Sequence, residues 1–319
     1  MRSFSGASLA VTVLLALSVL PGCGKVGQLK AMKALKAANA AYKQQDYKVA
    51  SDLYEETVQA DPNQAVAYFY LGNSYDQQFK PSKKGDAAND ALLAKAAQNY
   101  QMAAEKLSAS DKPDDKKLSK LSLEYLVSVY GSDKLNDPAK AEPVVQHMIQ
   151  LDPSETTNYF ALAKIYEDAG AYDNAEQMLL KAKEVKPNDP DVYSQLAGYY
   201  NRQAQFEKTI EALEQGATKQ PNNPEAFYKI ATYYWDEAYR DARLKEAQKR
   251  EFVQKGIAAT DQALKIKSDY MDALVYKGLL LRLQANMEKD PKKQAELIKE
   301  AVQLHDKAEE LRKKKTTGQ

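Results

Sequence analysis

The sequence predicts an all-α protein built from about seven similar helix hairpins. Three observations predict it. First, Pro153, Pro187 and Pro221 stand 34 residues apart, and a fixed period of this size is the mark of a repeat architecture. Second, the stretches after these prolines carry the same set: Tyr159, Leu162, Ala163 and Tyr166, then Tyr193, Leu196, Ala197 and Tyr200, then Phe227, Ile230, Ala231 and Tyr234. Tyr68, Leu71, Gly72 and Tyr75 form an earlier copy. Third, a second set follows: Ala50 with Tyr54, Ala96 with Tyr100 and Ala103, and Ala175 with Leu179 and Ala182. Spacings of three, four and seven place each set on one helix face. The small residue beside the Leu lets the second helix approach closely, and the alanines do the same from the other side.

Taken together, aromatic-x₂-L-[GA]-x₂-Y followed by A-x₃-[YL]-x₂-A resembles the tetratricopeptide repeat. That resemblance implies a right-handed α-α superhelical solenoid. The first repeat spans about 31–64 and has only Ala37, Ala38 and Ala41 at its first signature positions. The second starts at Ala65 and holds about 12 extra residues before Ala96. A spacer of about nine residues precedes the third, near 120–155. The fourth and fifth, 156–189 and 190–223, are regular; Asp189 before Pro190 and Asn223 before Pro224 read as N-caps followed by proline in the first turn. The sixth starts at Pro224 with about 13 extra residues before Gly256, and the seventh at Met271 with about 11 before Ala301. Split over two arms, each insertion would lengthen a hairpin by about one and a half turns per arm. Lys80, Pro81, Ser82 and Gly85 make part of the first insertion loop, and Asp290 with Pro291 reads as a turn and helix start. Residues 236–255 hold no Gly or Pro and read as extended helix. The longer hairpins are either tolerated insertions at loop tips or ridges for a partner.

The N-terminus carries a different message. Arg2 precedes an apolar run at 9–20, the shape of a secretory signal. It is shorter than the ~20 residues a spanning helix needs. Leu20, Pro21, Gly22 and Cys23 resemble the lipobox of bacterial lipoproteins, and Cys23 is the chain's single cysteine. The resemblance implies a diacylglycerol on the Cys23 sulfur, cleavage after Gly22 and acylation of the new amino group. Gly24 rather than Asp then favours the outer membrane facing the periplasm. An ordinary signal peptide with an incidental cysteine is the other reading. The expected organisation is a signal peptide at 1–22, the lipidated Cys and a short linker at 23–30, the solenoid at 31–315 and a frayed tail at 316–319. A linker that short keeps the folded part within about 20 Å of the bilayer.

Charge and chemistry narrow the function. Lys+Arg 45 against Asp+Glu 44 gives +1, and removing the signal with its Arg2 leaves the chain neutral. That balance argues against nucleic acid as a partner. A lone thiol closes no intrachain disulfide. The two histidines, His147 and His305, come with no Cys/His cluster, and no nucleophile elbow, phosphate-binding glycine loop or HExxH occurs. Nothing supports an enzyme, a metal or a cofactor. Arg312 to Lys315 reads as a basic end to a long last helix, set against the negative helix terminus.

The 21 tyrosines divide into signature residues and others. In the tetratricopeptide family the inner groove is lined by first-helix positions two, five, nine, twelve and thirteen. The resemblance therefore places Phe69, Asn73, Phe160, Lys164, Asn201, Arg202, Tyr228, Thr232, Trp235, Arg282 and Leu283 toward a concave face, with packing between repeats as the competing reading for each. Some family members clamp a C-terminal carboxylate with Lys, Asn and Arg. Here Asn73 fills one such position, but Phe69 stands where the Lys belongs. The expected function is a lipid-anchored scaffold in the bacterial envelope that binds a protein or peptide partner, an assembly or adaptor factor. The alternative is a glycan or small ligand held by the aromatics of repeats 5 and 6.

Overall fold

A computed structural model describes residues 22–317, with side chains from 25 to 316. The signal segment lies outside the described residues, and Cys23 is described through its backbone alone. The described residues form fourteen α-helices, one 3-10 turn and no strand. Taken two at a time the helices make seven successive pairs, the number the repeat count requires, and the six pairs that lie within one unit pack as hairpins. They fall into two compact units whose boundary lies between Val144 and Val145.

Unit 1 holds α1 (Gly22–Lys43), α2 (Tyr47–Ala60), α3 (Ala65–Gln78), α4 (Ala87–Ser108), α5 (Pro113–Tyr130) and the start of α6 (Pro138–Leu151). Its core is made of the expected second-helix residues, Ala50, Tyr54, Ala96, Tyr100 and Ala103, with Leu71 and Leu126. Tyrosines replace the usual aliphatics here, and their hydroxyls must find partners because an unpaired buried hydroxyl costs about 1–3 kcal/mol. Tyr54 donates to Asn39 Oδ1 at 2.7 Å. Tyr42 donates to Asn73 Oδ1 at 2.7 Å, while Asn73 Nδ2 donates to the Tyr100 oxygen at 3.2 Å. Lys134, in the loop before α6, pairs with the buried Asp76 of α3.

Unit 2 continues with α7 (Thr156–Asp168), α8 (Tyr172–Val185), α9 (Pro190–Arg202), α10 (Phe206–Lys219), α11 (Pro224–Arg240), α12 (Glu246–Ile266), α13 (Met271–Met287) and α14 (Pro291–Thr317). α7 to α10 are the regular repeats, at 13 or 14 residues each. The predicted caps form: the Asp189 carboxylate accepts from Asp191 N at 3.0 Å, and the Asn223 side chain from Glu225 N at 3.0 Å. Close approach between helices is visible at Gly216, where a Cβ would stand 2.9 Å from Tyr193 Cβ. The hairpin turns use a left-handed residue, Gly170 at φ 74° and Ala204 at φ 53°, to swing the chain from first helix to second.

Several boundaries differ from the sequence expectation. Residues 23–30 are the first turns of α1 rather than a linker. Gly27 makes this possible, since a Cβ there would lie 2.9 Å from the Ala60 carbonyl oxygen of α2. Most of the expected spacer before the third repeat is the start of α5, opened by Pro113. The repeat 2 insertion does not lengthen both arms. α3 keeps its 14 residues, α4 grows to 22, and the rest is a loop with a 3-10 turn at Pro81–Lys83 and Gly85 at φ 96°. The repeat 6 insertion lengthens both arms, α11 to 17 and α12 to 21 residues, but breaks at 241–245 without Gly or Pro. There the Asp241 carboxylate accepts from both the backbone and the guanidinium of Arg243, which holds the turn as an Asx motif. Thr316 and Thr317, expected to fray, belong to α14.

Candidate protein-binding site

The expected groove residues separate into four groups. Phe69 and Asn73 are buried in the core of unit 1. Phe69 meets the rings of Tyr70, Tyr100 and Tyr125 at 5.3 to 5.8 Å, and both Asn73 side-chain atoms are spent on tyrosines. Neither is available to a ligand. The cause is Tyr125, which α5 lays over Phe69 and which stacks on Tyr100 at 5.3 Å.

Lys164, Asn201 and Arg202 are exposed, but two of them are already tied. Lys164 pairs with Asp168 one turn on. Arg202 of α9 grips Glu167 of α7 with two parallel hydrogen bonds, Nε to Oε1 at 2.8 Å and Nη2 to Oε2 at 2.9 Å. This fork geometry is the strong form of the Arg–carboxylate contact, and it holds the Glu167 carboxyl below the usual carboxylate range. Phe160 is half-buried against the core of unit 2. Arg282 is exposed and lies with Val275, Leu279 and His305 in the cleft between α13 and α14. Leu283 packs against the core.

Tyr228, Thr232 and Trp235 do come together. They occupy successive turns of one α11 face, at spacings of four and three. Tyr276 of α13 stands between the two aromatics, 5.3 Å from the Tyr228 ring and 5.6 Å from the Trp235 ring, edge-on to both. Tyr270 abuts Tyr228 at 5.7 Å. At the other end Tyr239 stacks on Trp235 at 5.0 Å with planes 9° apart. The result is a continuous ladder of five rings, Tyr270, Tyr228, Tyr276, Trp235 and Tyr239. Burial at the closed end, with Tyr276 adjoining, pushes the Tyr228 hydroxyl up to about 12. The Tyr239 end is open, with 61% of that residue exposed. Charged residues flank the ladder in ion pairs of their own helix, Lys229 with Glu225 and Arg240 with Asp236.

Sequence reasoning missed Tyr239, Tyr270 and Tyr276. Tyr239 was legible in principle: it follows Trp235 by four and Tyr228 by eleven, on the same α11 stripe. It was hidden because it falls in the repeat 6 insertion, beyond the signature. Tyr270 and Tyr276 carried no such signal, since α13 is met only through packing.

Comparisons with known proteins agree with this architecture. Family models described as tetratricopeptide repeat match residues 35–106 and 134–198. These segments are tetratricopeptide repeats. Among solved structures, the C-terminal part of a TPR repeat-containing protein from Cytophaga hutchinsonii is 17% identical, with a TM-score of 0.53 over 87% of this chain and 98% of that one. A tetratricopeptide repeat protein from Parabacteroides merdae is 14% identical, covering 86% and 99% with a TM-score of 0.45. YrrB, described as a TPR protein with an unusual peptide-binding site, is 19% identical over 62% of this chain and 91% of its own, with a TM-score of 0.38. A comparison with curated proteins yields no match.

Proposed function

We propose that this protein is a lipid-anchored tetratricopeptide scaffold of the bacterial envelope that holds a protein partner against the α11–α13 aromatic ladder. The observation that carries the binding role is the stack of exposed Tyr239 on half-buried Trp235 at the open end of that ladder. Large rigid aromatics set in packed surroundings are the residues that dominate protein interfaces. Thr232, one turn from Trp235, adds a hydroxyl beside them. A segment lying along α11 would find apolar rings in line and charged pairs at the rim, the usual division of an interface.

The anchor rests on the sequence from Arg2 to Cys23. With two or three acyl chains the attachment is effectively permanent, since one chain alone holds only reversibly. Cys23→Ser should release the chain from the membrane fraction. A membrane-bound Cys23→Ser chain would remove the anchor from the proposal.

The test of the ladder is crosslinking in membranes of the native host. Tyr239→Ala and Trp235→Ala should each abolish crosslinking to the partner. Tyr172→Ala, an exposed tyrosine on α8, should leave it unchanged. Full recovery of the partner by both ladder variants would overturn the assignment. A glycan reading of the same rings has less support, because Trp235 and Tyr239 each spend one face on the other.

A further inference from the structure

α1 is built the wrong way round for a helix that ends in water. Its packing face is made of small residues: Ala31, Ala34, Ala38 and Ala41 are buried, and Gly27 closes on Ala60. Leu35 and Tyr42, further along, pack on the core of unit 1, but the large apolar residues of the first turns point outward. Val26 is 70%, Leu29 70% and Met32 63% exposed. Single exposed apolar residues are ordinary, but these three recur every third residue and form one stripe over two turns. Exposed Lys25, Lys33 and Lys36 fall on the same outward face, interleaved with these three. α1 contains no acidic residue, and the carboxylate brought near it, Glu56 of α2, is engaged by Lys30 at 3.3 Å. An outward face that mixes apolar side chains with long lysines suits the headgroup region of an anionic bilayer, where the apolar groups insert and the lysine ammonium groups reach up to the phosphates. Cys23 sits in the first turn of this same helix.

We infer that the outward face of α1 docks on an anionic lipid surface, so that the protein lies on the membrane by this face rather than swinging on its tether. The inference deepens the anchored reading given above and rests on it for its geometry. Acyl chains on Cys23 would start where the stripe starts, with no flexible linker between. Docking would then fix how the repeats are presented. Each lysine near an anionic surface strengthens attachment about fivefold, and the three apolar side chains add insertion depth.

The test uses the full processed chain with Met32→Cys, labelled with an environment-sensitive fluorophore and reconstituted on vesicles. On phosphatidylcholine vesicles containing phosphatidylglycerol the probe should shift to the blue and be quenched from the lipid phase. On phosphatidylcholine alone the shift should be lost or much reduced. A probe at Leu180→Cys, on α8, should stay in water on both. Combining Met32→Cys with Lys25→Glu, Lys33→Glu and Lys36→Glu should return the probe to water on anionic vesicles. A Met32 probe that stays in water on anionic vesicles overturns the proposal, as does a shift that the three glutamates do not change. The anchor is read separately by the mass of the mature N-terminus and by flotation on neutral vesicles. Should Cys23 prove unacylated, the labelled chain is added to anionic vesicles from solution, with Cys23→Ser in the background. Absence of a shift there overturns the docking face, and its presence upholds the face while the anchor falls.

Discussion

The Tyr193 hydroxyl donates to the carbonyl oxygen of Pro187 at 2.7 Å, locking the turn between α8 and α9. Tyr159 does the same to Pro153 at 3.0 Å. The six-residue interval from Pro to Tyr is thus a fixed structural unit, and it accounts for signature tyrosines without any ligand. The sixth repeat has Phe227 at this place and lacks the bond. We predict that Tyr193→Phe costs about 1 kcal/mol, the net value of one such hydrogen bond. Phe227→Tyr should gain a similar amount by bonding to Pro221. Urea unfolding of the two variants checks both, and opposite signs are expected.

Gly216→Ala and Gly256→Ala are predicted to differ. At Gly216 the added carbon would meet Tyr193 Cβ at 2.9 Å, an atom fixed to the α9 backbone. At Gly256 it would meet the two Leu280 methyls, the far end of a flexible side chain, at 2.9 and 3.0 Å, and the fixed Tyr234 Cβ only at 3.3 Å. Overpacking without relief costs about 1–3 kcal/mol, so Gly216→Ala should lower the melting temperature clearly. Gly256→Ala should lower it less, since helix propensity partly offsets the clash. Equal shifts would contradict the rigid-atom argument.

Lys134 reaches both carboxylate oxygens of Asp76, at 2.7 and 2.9 Å, with side-chain exposures of 19% and 6%. Removing one partner leaves a buried charge, which costs about 3–5 kcal/mol. Lys134→Met is therefore expected to destabilise the α3–α5 region strongly, while Asp76→Asn combined with Lys134→Met recovers most of the loss. A double-mutant cycle measures the coupling.

The Glu167–Arg202 fork gives a pH dependence with a definite sign. Hydrogen bonding to Arg202 depresses the Glu167 folded value. The stabilisation is then present above the ordinary carboxylate range and is lost as pH falls through the depressed value. At neutral pH Glu167→Gln should cost about 1 kcal/mol or less, because Arg202 is half exposed and water screens the pair. The difference between the native chain and the variant should vanish in acid. Unfolding curves at neutral and acid pH read it directly.

Much of the repeat interior was legible in the sequence. Leu71, Leu162, Leu196 and Ile230 recur with a small neighbour because each hairpin needs the same two surfaces, and all four are buried. Boundaries outside the period were less legible. The start of α1 depended on whether Gly27 would break a helix or let it pack on α2. The turn at 241–245 carries no proline or glycine to announce it. The candidate groove was legible only where a first-helix position stays uncovered. Tyr228, Thr232 and Trp235 keep part of that freedom, each half-exposed; Phe69 loses it to Tyr125, and Arg202 to Glu167.

The sequence by itself determined the helical class, the repeat period and the residues on each packing face. Those are local matters of spacing and side-chain size. The tertiary structure decided which off-signature residues are free to bind. A residue's neighbours come from helices tens of residues away, and whether a ring is covered depends on what those helices carry. The sequence placed Phe69 and Trp235 at comparable groove positions. Packing buried one under Tyr125 and Tyr100, and set the other in an open stack with Tyr239.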